Sequence, residues 1–278
     1  AVMHLIYARF WTKVMYDAGM LDFTEPFSVL KNQGMILGAD GQKMSKSKGN
    51  VVTPDEMVEK YGADALRLYI LFMGPFEAEL EWSEEGIAGT YRFLKRVWTV
   101  VCETSGVEPA AVDHRLMEEL RYQTARTLKK VTEDIDGFAF NTAVATLMEF
   151  VNFLSSSRDR AAEAGELWQD SLRKLLVLLA PMTPFIAEEL WHRMDLPGDS
   201  VFLQSWPEWN EDDLVRDTVE MVVQVKGRIR GRMTVPTDAS EEHMRKCALE
   251  LDRIEEILQG RPPGRVIVVP GKLVNIIP

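Results

Sequence analysis

Cysteine and histidine are scarce in this chain of 278 residues, with two and four copies. That scarcity removes most thiol, imidazole and metal chemistry from consideration. Cys102 and Cys247 are too far apart in sequence for a metal knuckle and both fall in helical patterns, so they read as free structural thiols and no metal site is expected. Only His4, His114, His192 and His243 could serve as bases. The patterns G-x-x-x-x-G-K-S/T, H-E-x-x-H and G-x-S-x-G do not occur, which excludes the commonest nucleotide-hydrolysing, zinc-peptidase and serine-hydrolase readings. Long apolar runs are missing too: none approaches the roughly 18 residues of a membrane span. The opening Ala1-Val2-Met3-His4 lacks the basic start of a signal peptide, so a cytoplasmic chain with no membrane partner is expected. Positive charge is in deficit, 32 Lys and Arg against 43 Asp and Glu, for a net −11. A nucleic-acid partner would therefore have to be met by local basic patches, not by the whole surface.

What is present is an ordinary globular composition, 46% hydrophobic and 27% charged, in a chain long enough for two or three modest domains. Its most unusual stretch is Gly41 to Asn50, which packs Lys43, Lys46 and Lys48 into six residues with Ser45 and Ser47 between them. No apolar period runs through it, so it is a loop. Lysines in a row on a Gly-bounded loop are flexible point charges with three donors each, suited to a phosphate chain whose charge moves during reaction. A solvated basic turn is the plain alternative.

Around that loop the periodicity predicts mostly helix. Leu5, Ile6, Phe10 and Val14 recur at helical spacing until Ala18-Gly19, and Gly34 to Leu37 reads as a short buried strand leading into the loop. Thr53-Pro54-Asp55-Glu56 is a capping box, Asp64 is the expected cap of the next helix, and Ser83 that of a long one. Further helices are expected across Leu116 to Ile135, from Asn141, from about Leu167 to Leu179 and from Thr183-Pro184. Their short connections predict an antiparallel bundle with Trp98, Trp168 and Trp191 in its core. After a connector ending near Trp209 the pattern changes. Val219 to Val225 and Ile229 to Val235 read as a β-hairpin, Ser240 to Leu258 as one helix, and Arg265 to Val269 and Leu273 to Ile277 as strands, together a small α+β domain. From Val219 onward there are ten Lys and Arg against eight Asp and Glu, net +2, while the rest carries −13. Lys226, Arg228, Arg230 and Arg232 fall on alternate positions, which on a regular strand puts all four on one face. Such a stripe either tracks a nucleic-acid backbone or blocks edge pairing.

Lys43-Met44-Ser45-Lys46-Ser47 is identical to the KMSKS loop of class I aminoacyl-tRNA synthetases. Asn32-Gln33-Gly34-Met35 before it and Tyr61-Gly62-Ala63-Asp64-Ala65-Leu66-Arg67 after it resemble the bacterial-type leucyl branch of that family, as does Val269-Pro270-Gly271-Lys272-Leu273. The resemblance implies three parts: residues 1–80 as the end of a Rossmann-type catalytic domain, 81–210 as a helical anticodon-binding-type bundle, and 211–278 as a small tRNA-contacting domain. It implies ATP and leucine as substrates, Mg2+ arriving with ATP, tRNA(Leu) as partner, and a monomer. By it, Lys43 and Lys46 act in catalysis, Lys43 to Ser47 bind ATP, His4 lies beside the aminoacyl-adenylate pocket, and the basic stripe meets tRNA. The family's His-Ile-Gly-His-type motif and editing insertion have no counterpart here. The chain therefore resembles only the carboxy-terminal third or so of an enzyme, expected to be inactive alone, with the loop expected to be mobile. A non-catalytic tRNA-binding module, or a synthetase for valine, isoleucine or methionine, are the alternatives.

Overall fold

The computed structural model describes residues 2–215 and 218–278. It is mainly helical with small sheets, and the chain falls into two compact units, one running to Arg92 with Asp134–Val144 added, the other comprising Phe93–Glu133 and Ala145–Pro278. No helix among the described residues is long and apolar enough to cross a membrane.

In the first unit, α1 (Val2–Asp17) forms where its periodicity places it and ends at Gly19 in the left-handed region. Its apolar side chains are not in a core: Ile6, Phe10 and Trp11 are each more than half exposed, and Thr12 is the buried residue of the helix. The expected strand shrinks to β1 (Ile36–Leu37), half-buried, not buried. After α2 (Pro54–Tyr61) and α3 (Ala63–Phe72), β2 (Leu80–Glu81) pairs parallel with β1. Two expected caps differ. Thr53 precedes α2 without a side-chain capping bond, and Gly62 rather than Asp64 opens α3, leaving Asp64 buried in the first turn, where its charge meets the helix dipole. Ser83 does cap α4 (Glu84–Thr104), its hydroxyl accepting from Gly86 N at 3.3 Å. Tyr69 knits these elements together: its ring stands edge-on to Trp82 at 5.0 Å, its hydroxyl accepts from Ser83 N at 2.7 Å, and burial raises its pKa.

In the second unit the rest of α4 is joined by α5 (His114–Asp136), α6 (Phe140–Ser157), the single turn α7 (Ala161–Ala164), α8 (Glu166–Leu179) and α9 (Pro184–Arg193). Asp113 caps α5, accepting from Arg115 N at 2.8 Å. Buried polar contacts set how the helices meet. The Trp168 indole N–H donates to Thr104 at 2.8 Å across α8 and α4, and the Thr124 and Ser171 hydroxyls pair at 3.0 Å across α5 and α8. Trp168 and Trp191 are fully buried as expected, while Trp98 is half-buried beneath the Arg193 guanidinium at 4.7 Å.

The carboxy-terminal part holds a sheet in the order β4-β3-β6-β5, built from β3 (Thr218–Val225), β4 (Arg228–Pro236), β5 (Arg265–Val269) and β6 (Leu273–Ile277). Lys226 and Gly227 make the hairpin turn with φ of 50° and 76°, the paired positive values of a type I′ turn. The expected single helix divides into α10 (Glu241–Leu249) and α11 (Asp252–Leu258), because Leu251 turns extended at ψ 127° between them. Both helices pack on the face carrying Met221, Val223, Val274 and Ile276.

Two glycines of the first unit should respond in opposite ways. A Cβ on Gly34 would lie 1.8 Å from the Ala78 carbonyl oxygen, so Gly34→Ala must displace backbone, and should cost about 1–3 kcal/mol. On α4, Gly89→Ala meets nothing nearer than an Arg92 side-chain nitrogen at 3.8 Å and should gain about 0.5–1 kcal/mol. Thermal unfolding followed by circular dichroism checks both; equal midpoints for the two variants would refute the packing described.

Candidate functional site: a stapled lysine loop

The lysine loop leaves β1 through Gly38 and returns toward α2 after Asn50. Backbone bonds open it: Gly38 N donates to Gln42 O at 2.8 Å, and Lys43 bridges back to Leu37. Residues Lys46–Lys48 then form one turn of 3-10 helix, closed by Gly49 at φ 68°, a left-handed conformation that glycine adopts without strain.

Two residues outside the KMSKS letters hold this shape. The Asn50 amide nitrogen donates to both Asp40 carboxylate oxygens at 3.1 Å, and its carbonyl oxygen accepts from Ser45 N at 2.9 Å. Asp40 also accepts from Gln42 N at 3.1 Å. The two ends of the loop are thus stapled across ten residues. The Asn50 amide first, then the Gln42 N–H and the Lys48 charge, hold the Asp40 carboxyl below its ordinary value. Asp and Asn flanking a glycine-bounded run are turn-forming residues that bond neighbouring backbone, and that signal was readable beforehand.

The three lysines are not equivalent. Lys48 donates to Gln42 Oε1 at 2.6 Å. Lys43 and Lys46 are exposed and, among the described residues, have no ion-pair partner. Ser45 and Ser47 hydroxyls pair with each other at 3.1 Å between them. Two free ammonium groups and two hydroxyls on a held backbone can follow an anion that arrives and leaves. His4 is exposed on α1, its ring 6.0 Å from that of Phe27, and no hydrogen bond or ring contact among the described residues links it to the loop.

The basic stripe does not survive as a stripe. Arg228 pairs with Val225 and Ile229 with Gln224, but Val223 then pairs with Gly231, so Arg230 has no partner position. This β-bulge reverses the alternation beyond it. Arg228 falls on the side of Val225 and the core, Arg232 on the opposite side, and Lys226 lies in the turn. The expectation of four cations on one face is therefore corrected. Arg232 is also paired with Glu220 at 2.8 Å, whereas Lys226 and Arg228 are exposed at the hairpin tip.

Asn50→Ala removes both halves of the staple while leaving the KMSKS letters intact. Hydrogen exchange at the Ser45 amide should then speed up by at least tenfold while the Leu80 amide, bonded to Met35 O, stays protected. Because the Asp40 pKa is lowered in the folded chain, its contribution is present above the ordinary value of 3.8 and is lost as pH falls through the lowered one. The same amide in the native sequence should thus loosen only below about pH 3.8; loosening near neutrality would show that Asp40 is not the anchor.

Comparison with known proteins supplies the context for this geometry. A family model described as tRNA synthetases class I (I, L, M and V) matches residues 6–83, and one described as the anticodon-binding domain of tRNA ligase matches residues 118–245. The chain is 45% identical to the Leucine--tRNA ligase of Syntrophobacter fumaroxidans, covering 100% of this chain and 34% of that protein. Against the protein of the same name from Thermotoga maritima the identity is 46%, over 100% of this chain and 35% of that one. A crystal structure of the ternary complex of Agrobacterium radiobacter K84 agnB2 LeuRS with tRNA and LeuAMS superposes with a TM-score of 0.68 at 33% identity, covering 99% of this chain and 36% of that chain. The chain spans about a third of the length of the curated relatives it matches. With both family models and similarity along the whole of this chain in agreement, the chain belongs to the class I aminoacyl-tRNA synthetases, where it corresponds to the carboxy-terminal portion of the leucyl branch.

Proposed function

We propose that this chain is the part of a leucine–tRNA ligase that supplies the KMSKS loop and the tRNA-binding domains. The observation that carries the reading is similarity along the whole of this chain to about a third of known leucine–tRNA ligases, joined to a stapled loop that presents Lys43 and Lys46 without acidic partners among the described residues. In the parent reaction, the leucine carboxylate attacks the α-phosphorus of ATP, leucyl-adenylate forms and pyrophosphate leaves. The adenylate then passes its leucyl group to tRNA(Leu).

Negative charge grows on the leaving β,γ-phosphates during the first step. Lys43 and Lys46 meet that charge, with Ser45 and Ser47 as further donors and Met44 spacing the cations, so the loop binds the transition state more tightly than ATP itself. Mg2+ comes with ATP as part of the substrate. His4 is read as a wall of the aminoacyl-adenylate pocket, and the exposed apolar side of α1 as the surface that the remaining two thirds of the parent enzyme covers. Residues 1–80 then complete the catalytic domain, 81–210 form an antiparallel anticodon-binding-type bundle, and 211–278 reach the tRNA through the hairpin tip. The leucine and adenine pockets lie outside this sequence, so the chain alone is inactive.

In the complete enzyme, Lys43→Ala or Lys46→Ala should lower ATP–pyrophosphate exchange on the order of 10²-fold while leaving leucine binding nearly unchanged. Equal losses in both would remove the lysines from the transition-state role. For tRNA, filter binding of the chain over a salt series should give a falling log–log line. Lys226→Ala and Arg228→Ala should each flatten the slope by about 1, and Arg232→Ala by less, since Glu220 already neutralises it. A slope near zero in the native chain would sink the hairpin as a tRNA contact.

A further inference from the structure

The second unit holds a cavity of about 300 Å³ between α5, α8 and the connector that follows Trp206. No step of the reaction above uses it. Its floor is apolar, made by Ala125, Leu128 and Leu167, and the one hydroxyl at the floor, that of Thr124, is paired with Ser171. Trp209, half-buried, is part of its lining. The indole N–H donates to Glu211 Oε1 at 2.9 Å, and Glu211 is in turn held by the Lys129 ammonium at 3.0 Å.

The charges at the rim cancel. Arg121 and Lys174 share the lining with Glu208 and Asp213, and Lys174 is further paired with Asp170 at 2.7 Å. A phosphate therefore finds no excess of positive charge here. Arg121 and Glu208 at the rim are exposed, so a guest with donors and acceptors can bond them where a purely apolar one cannot. A neutral planar ring with donors and acceptors along its edge suits both, packing on the apolar lining and the Trp209 indole and reaching the rim. The volume is at the low end for ligand pockets, about 300–1,000 Å³, which fits one ring system and not a whole dinucleotide.

We propose that this cavity seats a single nucleobase. The base comes either from a bound RNA, a source that rests on the tRNA reading above, or from a free nucleoside or nucleotide, which does not. Methyl and indole NMR of the full chain tests it, with adenosine, guanosine, cytidine and uridine, their 5′-monophosphates, inorganic phosphate and a tRNA(Leu) transcript as probes. The signals of Ala125, Leu128, Leu167 and the Trp209 indole should shift with at least one nucleoside at millimolar concentration, and its 5′-monophosphate should bind no tighter. Arg121→Gln, at an exposed position that leaves the fold alone, should weaken that nucleoside about three- to tenfold, the worth of one hydrogen bond. Trp209→Leu should abolish the shift. If tRNA(Leu) moves the same signals, the base is the RNA's; if it binds without moving them, the free nucleoside is the ligand. Nucleoside shifts in a chain that fails to bind tRNA would leave the cavity standing and bring down the tRNA reading. No nucleoside shift at all, or shifts with inorganic phosphate alone, would overturn the proposal.

Discussion

The lysine loop depends on a contact of only two residues per strand. Leu80 N donates to Met35 O at 3.1 Å and Trp82 N to Leu37 O at 3.0 Å, and this parallel pairing fixes where the chain enters Gly38. It is possible only because Gly34 lies against the carbonyl of Ala78 with no side chain between them. Gly34 N closes the contact by donating to Phe76 O at 2.9 Å. A pairing this short cannot be stable by itself. It is maintained by the elements that follow β2, where Tyr69 packs on Trp82 and Ile87 and the Thr90 hydroxyl donates to Ala65 O at 3.0 Å. The position of the loop is thus set by a helical core some way along the chain, and the loop's own staple sets only its shape.

This division explains how much could be read in advance. Helices with local signals were legible: Ser83, Ser240 and Gly62 act at or next to the boundaries their chemistry marks, and β5 and β6 have the expected limits. The staple was legible in kind, since Asp40 and Asn50 are turn residues, though not as a pair, because nothing in one sequence says that residues ten apart will meet. The bulge at Arg230 was not legible. Strand parity is a property of two strands, and a single unpaired residue moves every later side chain to the other face. The division of the last helix at Leu251 hides for a similar reason: Met244, Ile254 and Leu258 all reach the core, so the apolar pattern runs on across the break.

For the site, the sequence named the residue types and the structure ranked them. Five letters place Lys43 and Lys46 in a recognisable loop and leave Lys48 outside it, and the geometry agrees, since Lys48 is occupied by Gln42. The cavity beside Trp209 carries no motif. Its lining comes from positions spread between Arg121 and Asp213, and an amphipathic helix reads the same whether its neighbour fills the groove or leaves a space.

The distribution of charge gives the loop its meaning. In a chain of net charge −11, cations near carboxylates are expected to be neutralised, and many are: Lys60 by Glu84, Lys129 by Glu211, Lys174 by Asp170 and Arg232 by Glu220. Exposed pairs of this kind add little to stability, so their main effect is to remove positive potential from the surface. Asp40 is close enough to the lysine loop to do the same, yet its carboxylate oxygens are taken by the Asn50 amide and by Gln42 N. A carboxylate engaged with neutral donors keeps its charge, which the nearby Lys48 still feels, but among the described residues it forms no ion pair with Lys43 or Lys46. Asp40 therefore gives the loop its shape through hydrogen bonds, while Lys43 and Lys46 stay exposed with no ion-pair partner among the described residues.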